Sequence, residues 1–136
     1  MQFYALRDIK AGEQLFYSYC YIKSNLADRQ AELAPYGFVC KCPACLNATP
    51  ETDKLRSTIE TEIPRVAELL AQSPEAALEE ALRLEELCVE EGLDVDPQFV
   101  LLALAIRLAY GRLGRREESE KYGCLVEALY KLIKID

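Results

Sequence analysis

Three cysteines with the spacing of metal ligands lie within six residues, as the pattern C-x-C-x-x-C formed by Cys40, Cys42 and Cys45. Thiols at this spacing suit a tetrahedral metal ion that prefers sulfur, and zinc is the usual one in proteins. Thiolates this close repel one another, so a bound cation also offsets their charge. The pattern therefore predicts a zinc site. The alternative is three small residues that pack together without a metal.

Zinc in structural sites takes four ligands, and this cluster supplies three. Cys20 is the nearby candidate for the fourth ligand, and a residue outside this chain is the alternative. Cys88 and Cys124 fall within helical patterns, so we expect them to be core thiols. The chain has no histidine, which excludes a histidine ligand or base within it.

Composition restricts the function further. The 136 residues are 51% hydrophobic, which argues against disorder. A net charge of −7 without a lysine- or arginine-rich block argues against direct binding of nucleic acid. No apolar run approaches the roughly 20 residues that span a bilayer, and no signal peptide is recognisable. With six unevenly spaced cysteines, we expect an intracellular protein, nuclear or cytoplasmic, that has no membrane partner.

The residues before the cluster predict a β-hairpin over residues 3–20, because aromatic and β-branched residues favour strands. The turn is expected at Lys10–Glu13, where Gly12 can adopt a positive φ. In the second strand, Tyr17 and Tyr19 share a face by the period of two. Because a lone hairpin is marginal in water, we expect it to belong to a larger sheet that begins before this chain.

Helical patterns surround and follow the cluster. A short helix is expected within residues 21–35, capped by Ser24 or Asn25 and stopped by Pro35. Three later starts share a capping side chain followed by proline, at Thr49-Pro50, Ser73-Pro74 and Asp96-Pro97. The expected helices run from Pro50, with Pro64 kinking or dividing the first, and then over about 74–91, about 97–113 and about 116–135.

The helix over about 97–113 is apolar on nearly every side, so we expect it at the buried centre of the C-terminal half. The last two helices are expected to form a hairpin that loosely resembles a tetratricopeptide-type pair, although no strict repeat is visible. The predicted fold class is α+β and predominantly α: an N-terminal β-hairpin and zinc knot, followed by an antiparallel helical, tetratricopeptide-like bundle.

The N-terminal residues also resemble a known family. Arg-Asp-Ile-Lys-Ala-Gly-Glu-Gln-Leu at 7–15, followed by Tyr17-Ser18-Tyr19, resembles the last hairpin of a SET-domain lysine methyltransferase. Arg29, Leu33 and the run Tyr-Gly-Phe-Val-Cys-Lys-Cys-Pro-Ala-Cys at 36–45 resemble the post-SET element. A helical domain directly after it is similar to the SET and MYND subfamily and its fungal relatives. The close match covers residues 5–45.

The resemblance implies roles for individual residues. Tyr19 corresponds to the catalytic tyrosine, whose hydroxyl orients the lysine amine. Tyr36 corresponds to an aromatic wall of the lysine channel, as does Tyr17, for which sheet packing is the simpler interpretation. Phe38 corresponds to the ring that packs on the adenine of S-adenosylmethionine. Cys40, Cys42 and Cys45 correspond to post-SET zinc ligands, with the fourth ligand in the SET core.

The resemblance also divides the chain into residues 1–24, the last SET hairpin; residues 25–48, the post-SET helix and zinc element; and residues 49–136, the helical domain. The Gly-x-Gly and Asn-His-Ser stretches that bind the family's cofactor are absent from this sequence. We therefore expect the C-terminal part of a protein-lysine methyltransferase, inactive alone, with S-adenosylmethionine bound only by the full-length parent.

The partners that the resemblance implies are a lysine-containing protein, with histones as candidates, and the rest of the SET domain. A second copy paired through the exposed hairpin is a further possibility. Two other hypotheses stay open: a zinc-stapled helical-repeat module that binds proteins without catalysis, and a structural helical domain with an incidental thiol cluster.

Overall fold

A computed structural model describes residue 5 and residues 8–133 of the chain. These residues are mainly helical and contain no β-strand, so the predominantly α part of the prediction is confirmed. A 3₁₀ turn, Ala34–Tyr36, follows the first helix. The helices are α1 (Leu26–Leu33), α2 (Pro43–Leu46), α3 (Pro50–Gln72), α4 (Pro74–Glu90), α5 (Phe99–Arg112) and α6 (Arg116–Ile133).

The predicted β-hairpin is not formed by the described residues. Residues 14–19, the second predicted strand, have no regular structure, and much of the first strand (Phe3, Tyr4, Leu6 and Arg7) lies outside the described residues. The predicted turn does form: the Glu13 N–H donates to the Lys10 carbonyl at 3.0 Å, and Gly12 has a φ of 82°. A turn needs only local hydrogen bonds, whereas a strand ladder needs neighbouring strands, and the described chain supplies none.

The short helix before the cluster is confirmed as α1. Asn25 caps it, since its side-chain oxygen accepts the backbone N–H of Asp28 at 2.9 Å. The α-helix ends at Leu33, and Pro35 lies in the 3₁₀ turn, which closes at Gly37 with a φ of 77°. Leu33, the last residue of α1, is buried directly before this turn.

The start of α3 is the capping arrangement expected from Thr49-Pro50. Thr49 and Thr52 each accept the other's backbone N–H, and Pro50 occupies the first helical position. Pro64 does not divide this helix, which runs unbroken over 23 residues. Proline in a helix interior removes one hydrogen bond, but Ile63 and Val66 beside it are buried and hold the segment against the core.

The expected start of α5 at Asp96-Pro97 is two residues too early. The Asp96 carboxylate does accept a backbone N–H, that of Gln98 at 2.9 Å, but in a turn before the helix. Its other oxygen lies 3.2 Å from the Lys23 ammonium. Asp96 thus serves both the ion pair and the turn, and α5 begins after this turn, at Phe99.

Helices α3, α4 and α5 share one hydrophobic core, and α5 lies at its centre as predicted. Leu102, Ile106 and Ala109 of α5 are fully buried, whereas Leu101 and Leu108 are exposed, so the helix is not buried on every side. Helix α6 packs on α5 around three further buried residues, Val100, Ala103 and Val126. The hairpin of the last two helices is therefore formed, with its turn at Gly114.

The segment before α1 is attached to the helices by buried cations. The Lys23 ammonium, 8% exposed, lies 2.6 Å from Glu60 on α3 and 3.2 Å from Asp96 before α5. Burial alone would lower the pKa of Lys23, but its hydrogen bonds to Glu60, Tyr21 and Asp96 outweigh burial and raise it.

Among the helices that the structure describes, none combines the length and apolar character needed to cross a bilayer.

Candidate metal centre

The three cysteines of the predicted zinc motif come together in space. Cys40 lies in the segment without regular structure between Gly37 and α2, Cys42 is the N-cap of α2, and Cys45 lies within α2. Their sulfur atoms all lie within 4.8 Å of one another. A tetrahedral zinc ion with Zn–S bonds of about 2.3 Å needs sulfurs about 3.8 Å apart. The donor set and its spacing therefore fit zinc after small side-chain adjustments.

The thiols of the cluster have different surroundings. Cys45 is buried, Cys40 is half-buried and Cys42 is exposed. Burial raises the pKa of the Cys45 thiol to about 11, although Arg29 opposes the shift. Burial also acts to raise the pKa of Cys42, but the backbone amides of Cys45 and Ala44 and the neighbouring thiols stabilise its thiolate and lower the pKa overall. The exposed thiol at the start of α2 therefore ionises more readily than the buried one.

Helix α1 holds the backbone of Cys40 through Gln30. The Gln30 amide nitrogen donates to the Cys40 carbonyl at 2.9 Å, and the Cys40 N–H donates to the Gln30 oxygen at 3.0 Å. One side chain thus satisfies both backbone groups of a candidate ligand, as a neighbouring strand would. Gln30 is not predictable from the sequence, because a glutamine on a short polar helix carries no recognisable signal.

Helix α1 also places Arg29 against Cys45. The Arg29 side chain is buried, and its guanidinium donates to the Ser24 carbonyl at 2.5 Å and to the Ala44 carbonyl at 3.3 Å. Its Nη2 lies 3.9 Å from the Cys45 sulfur. On its other side, Nη1 lies 3.9 Å from the carboxylate of Asp53 on α3. The arginine singled out by the family resemblance therefore connects the cysteine loop to the helical domain.

The tyrosines given functional roles by the resemblance lie together without forming a sheet. The Tyr19 ring centroid lies 4.2 Å from that of Tyr17 and 5.5 Å from that of Tyr36. The pKa of Tyr17 is raised chiefly by its hydrogen bond with Tyr19. All three rings are at least half exposed, and Phe38, two residues before Cys40, is 46% exposed. The structure thus gathers Tyr19 and the two channel candidates on an open surface, and their roles remain predictions.

The other cysteines lie apart from the cluster. Cys20, the candidate fourth ligand, is not part of it; its sulfur lies 3.8 Å from the Ser18 hydroxyl, which also donates to the Cys20 carbonyl at 2.7 Å. Cys88 is buried in the helical core as predicted. The prediction for Cys124 is wrong: it is exposed, because it lies on the solvent side of α6, opposite the face that packs on α5.

Comparison with known proteins gives partial matches. No protein-family model matches the chain, and no solved structure matches it. The histone-lysine N-methyltransferase SET5 of Meyerozyma guilliermondii is 33% identical over 97 residues, which cover 68% of this chain and 20% of that protein. A SET domain-containing protein of Acanthamoeba polyphaga mimivirus is 38% identical over 63 residues, which cover 43% of this chain and 25% of that protein.

The chain therefore spans a fifth to a quarter of the length of these relatives. Both similarities and the cluster of Cys40, Cys42 and Cys45 fit a C-terminal SET and post-SET region.

Proposed function

We propose that this chain is the C-terminal part of an S-adenosylmethionine-dependent protein-lysine methyltransferase. In this proposal residues 1–24 belong to the last hairpin of the SET domain, residues 25–48 form the post-SET element and residues 49–136 form a helical domain. The observation that carries it is the three-sulfur cluster, found in a chain that is similar to two SET-domain proteins.

The proposed metal is a structural zinc ion held by Cys40, Cys42 and Cys45, with the fourth ligand from Cys20 or from outside the chain. When bound, the ion would join the segment that carries Cys40 to α2 and thereby restrict the backbone between Tyr36 and Cys40. This segment carries Phe38, so the cysteine loop would position the aromatic residues that face substrate and cofactor. The support for this role is that the Tyr36 ring lies 5.5 Å from that of Tyr19 and that Tyr36 shortly precedes Cys40 in the sequence.

The candidate cofactor and substrate residues lie on an open surface. Tyr19, Tyr36 and Phe38 are exposed, and two clefts on the described surface lie elsewhere, beside Arg65 on α3 and beside Gly111 and Ser119 at the α5–α6 turn. The proposal therefore assigns S-adenosylmethionine to the parent protein and expects this chain alone to be inactive. It also places the enzyme inside the cell, in the nucleus or cytoplasm, where thiols stay reduced.

In the parent, the chemistry assigned to this chain is alignment of a lysine amine. The Tyr19 hydroxyl would orient the neutral amine toward the methyl donor, and orientation of reactants accounts for up to about 7–11 kcal/mol of a barrier. The rings of Tyr17 and Tyr36 would favour the cationic groups at about 0.5–2 kcal/mol each through their π faces. Histones are the first substrates to assay, because one relative is a histone-lysine methyltransferase.

The decisive experiment measures methyl transfer to histones by a longer protein that contains this chain behind a complete SET core. We expect activity, and we expect Tyr19→Phe to lower it by about 100-fold or more, since a positioned polar group in an active site contributes on this scale. Tyr130→Phe is the matched control, because Tyr130 is also exposed but lies on α6. Activity that survives Tyr19→Phe would contradict the assigned role.

A protein-interaction module is the second candidate, and the exposed apolar residues of α5 favour it. Leu101 and Leu108 lie two helical turns apart and are 51% and 47% exposed. An apolar stripe of this kind suits a helical partner. If the longer protein binds zinc and folds but transfers no methyl group, while Leu101→Asp and Leu108→Asp abolish binding of a protein partner, the module would be the better description.

A further inference from the structure

Arg29 carries a buried charge that its surroundings compensate only in part. Its side chain is 4% exposed, and two of its contacts are neutral carbonyls, those of Ser24 and Ala44. The nearest carboxylate, that of Asp53, is 3.9 Å away and also accepts the backbone N–H of Leu26 at 2.9 Å. A buried guanidinium with so distant a counter-charge is unfavourable unless a further negative group faces it.

Arg56, the second buried arginine of the described residues, has a carboxylate close to its guanidinium. Arg56 is buried to the same extent, but its guanidinium lies 3.0 Å from the Glu91 carboxylate and also donates to the carbonyls of Ile22 and Glu91. Arg29 has no comparable contact with a carboxylate among the described residues. Instead its Nη2, which also donates to the Ala44 carbonyl, lies 3.9 Å from the Cys45 sulfur.

When zinc binds, the cysteines become thiolates, and the zinc–thiolate cluster would supply the missing negative charge. Three thiolates around a divalent ion leave a net charge of about −1, and four thiolates leave about −2. The charge would be spread over the sulfurs, and the sulfur of Cys45 is the one that Arg29 faces at 3.9 Å. N–H donors and cations around such a cluster orient its ligands and tune its affinity for the metal.

We propose that Arg29 is a positioning residue of the metal centre, whose guanidinium offsets the negative charge of the zinc–thiolate cluster and holds Cys45 in place. This inference rests on the zinc site of the proposed function. It assigns the charge of Arg29 to the metal-bound state of the loop, so the strength of zinc binding should depend on the charge at position 29 and not only on packing there.

The test measures the zinc dissociation constant of the purified chain and its variants at fixed pH, by competition with a chromophoric chelator. Arg29→Gln keeps an amide donor but removes the charge, and it should weaken zinc binding about 10–100-fold, the usual effect of losing a residue that supports a metal ligand. Arg29→Lys keeps the charge and should lose less than about tenfold. Thiolate-to-metal absorption of the cobalt-loaded variants checks that the same sulfurs bind.

Two control variants separate charge from packing. Asp53→Asn keeps an oxygen that can accept the Leu26 N–H but removes the competing carboxylate, so zinc binding should stay unchanged or tighten. Arg56→Gln removes an equally buried arginine that does not touch the cysteines, so it should lower stability and leave zinc binding within about threefold.

The outcomes discriminate clearly. Zinc binding by Arg29→Gln within threefold of the wild type, or an equal loss in Arg29→Gln and Arg29→Lys, would overturn the role of its charge. Should Arg29→Gln fail to fold, Arg29→Lys and Asp53→Asn still test the role of the charge. If both weaken zinc binding to the same degree, packing alone explains the effect. If the wild-type chain takes up less than about half an equivalent of zinc, the proposed zinc site fails as well; if only the variants disagree, that site stands.

Discussion

The sulfur atoms of Cys42 and Cys45 show how single residues in one short loop acquire different chemistry. Cys42 lies at the start of α2, where backbone amides point toward its sulfur and lower the pKa of its thiol despite the opposing effect of burial. Cys45, one helical turn later, points inward, and burial raises its pKa to about 11. Proline at position 43 starts the helix between them, so the sequence motif itself creates the asymmetry.

This asymmetry predicts the pH dependence of zinc binding. Each thiol that is protonated in the metal-free chain must release a proton when zinc binds, so affinity rises with pH. Cys42 ionises at a lower pH than Cys45, and once ionised it no longer releases a proton when zinc binds. Cys45 stays protonated up to about pH 11 and continues to release one. The logarithm of the apparent affinity should therefore rise most steeply near neutral pH and still rise by at least about one per pH unit at about pH 9, the contribution of Cys45.

The measurement is a chelator competition at several pH values between about 6 and 9, with proton release followed in weakly buffered solution. In the metal-free chain, the stability of the fold changes with pH in the opposite direction. The raised pKa of Cys45 favours the folded state below its ordinary value of 9.0, and this contribution is lost as pH rises through about 11. A zinc affinity that is flat above neutral pH would show that the buried Cys45 thiol is not a ligand.

Single residues differ in how far they could be predicted. The cluster of Cys40, Cys42 and Cys45 was predictable because its spacing is local, and the structure confirms that the sulfurs converge. Gln30 was not predictable, because its importance comes from a backbone that lies ten residues further along the chain. Cys124 was assigned to the core from a helical pattern, but the pattern alone does not say which face of α6 meets α5.

At the scale of elements, α1 serves as the support of the cysteine loop. The loop between Gly37 and α2 has no regular structure, and Gln30 supplies the hydrogen bonds that a neighbouring strand would otherwise make with Cys40. The short α2 helix offers few internal hydrogen bonds of its own. The loop therefore depends on a side chain of α1 for its order before any metal is bound.

Gln30→Ala should loosen this loop without unfolding the helices. Loss of two hydrogen bonds should cost about 1–3 kcal/mol locally and weaken zinc binding, because Cys40 is no longer held in position. Hydrogen exchange of the Cys40 amide should become faster, and zinc titration should show the lower affinity. Gln72→Ala is the matched control, since Gln72 is exposed at the end of α3, and it should change neither quantity. Equal protection of Cys40 in both variants would contradict the support by α1.

Elements with local signals were predicted well, and those that depend on distant partners were not. The caps at Asn25, Thr49 and Ser73 set the starts of α1, α3 and α4 as expected, because capping uses residues within one turn. The β-hairpin failed because its strands would need partners that the described chain does not contain. The start of α5 lies two residues later than expected, after a turn whose Asp96 also pairs with Lys23, a contact across 73 positions that no local pattern reveals.

The whole molecule consists of a helical core and an N-terminal region that is attached to it mainly by polar contacts. The core of α3, α4 and α5 is a continuous apolar cluster, to which the described residues before α3 add only the half-buried Ile22. The attachment comes instead from buried cations, with Lys23 pairing to Glu60 and Asp96, and Arg56 bonding to the Ile22 carbonyl. Such a division predicts that the cysteine loop can lose its order while the helices stay folded.

Matched cysteine-to-serine variants test this division. Cys42→Ser removes a proposed zinc ligand, so backbone hydrogen exchange over residues 37–47 should become at least about tenfold faster, while α4 and α5 keep their protection. Cys88→Ser places a hydroxyl in the helical core, where an unmet hydrogen bond costs about 1–3 kcal/mol, and it should accelerate exchange in α4 and α5. Cys124→Ser changes an exposed thiol and should alter neither region. If Cys42→Ser instead accelerates exchange across all helices, the division is wrong. The polar contacts of Lys23, Arg29 and Arg56 would then unite the chain into a single cooperative unit. Only a unit that includes the cysteine loop would lose protection throughout when Cys42 is replaced.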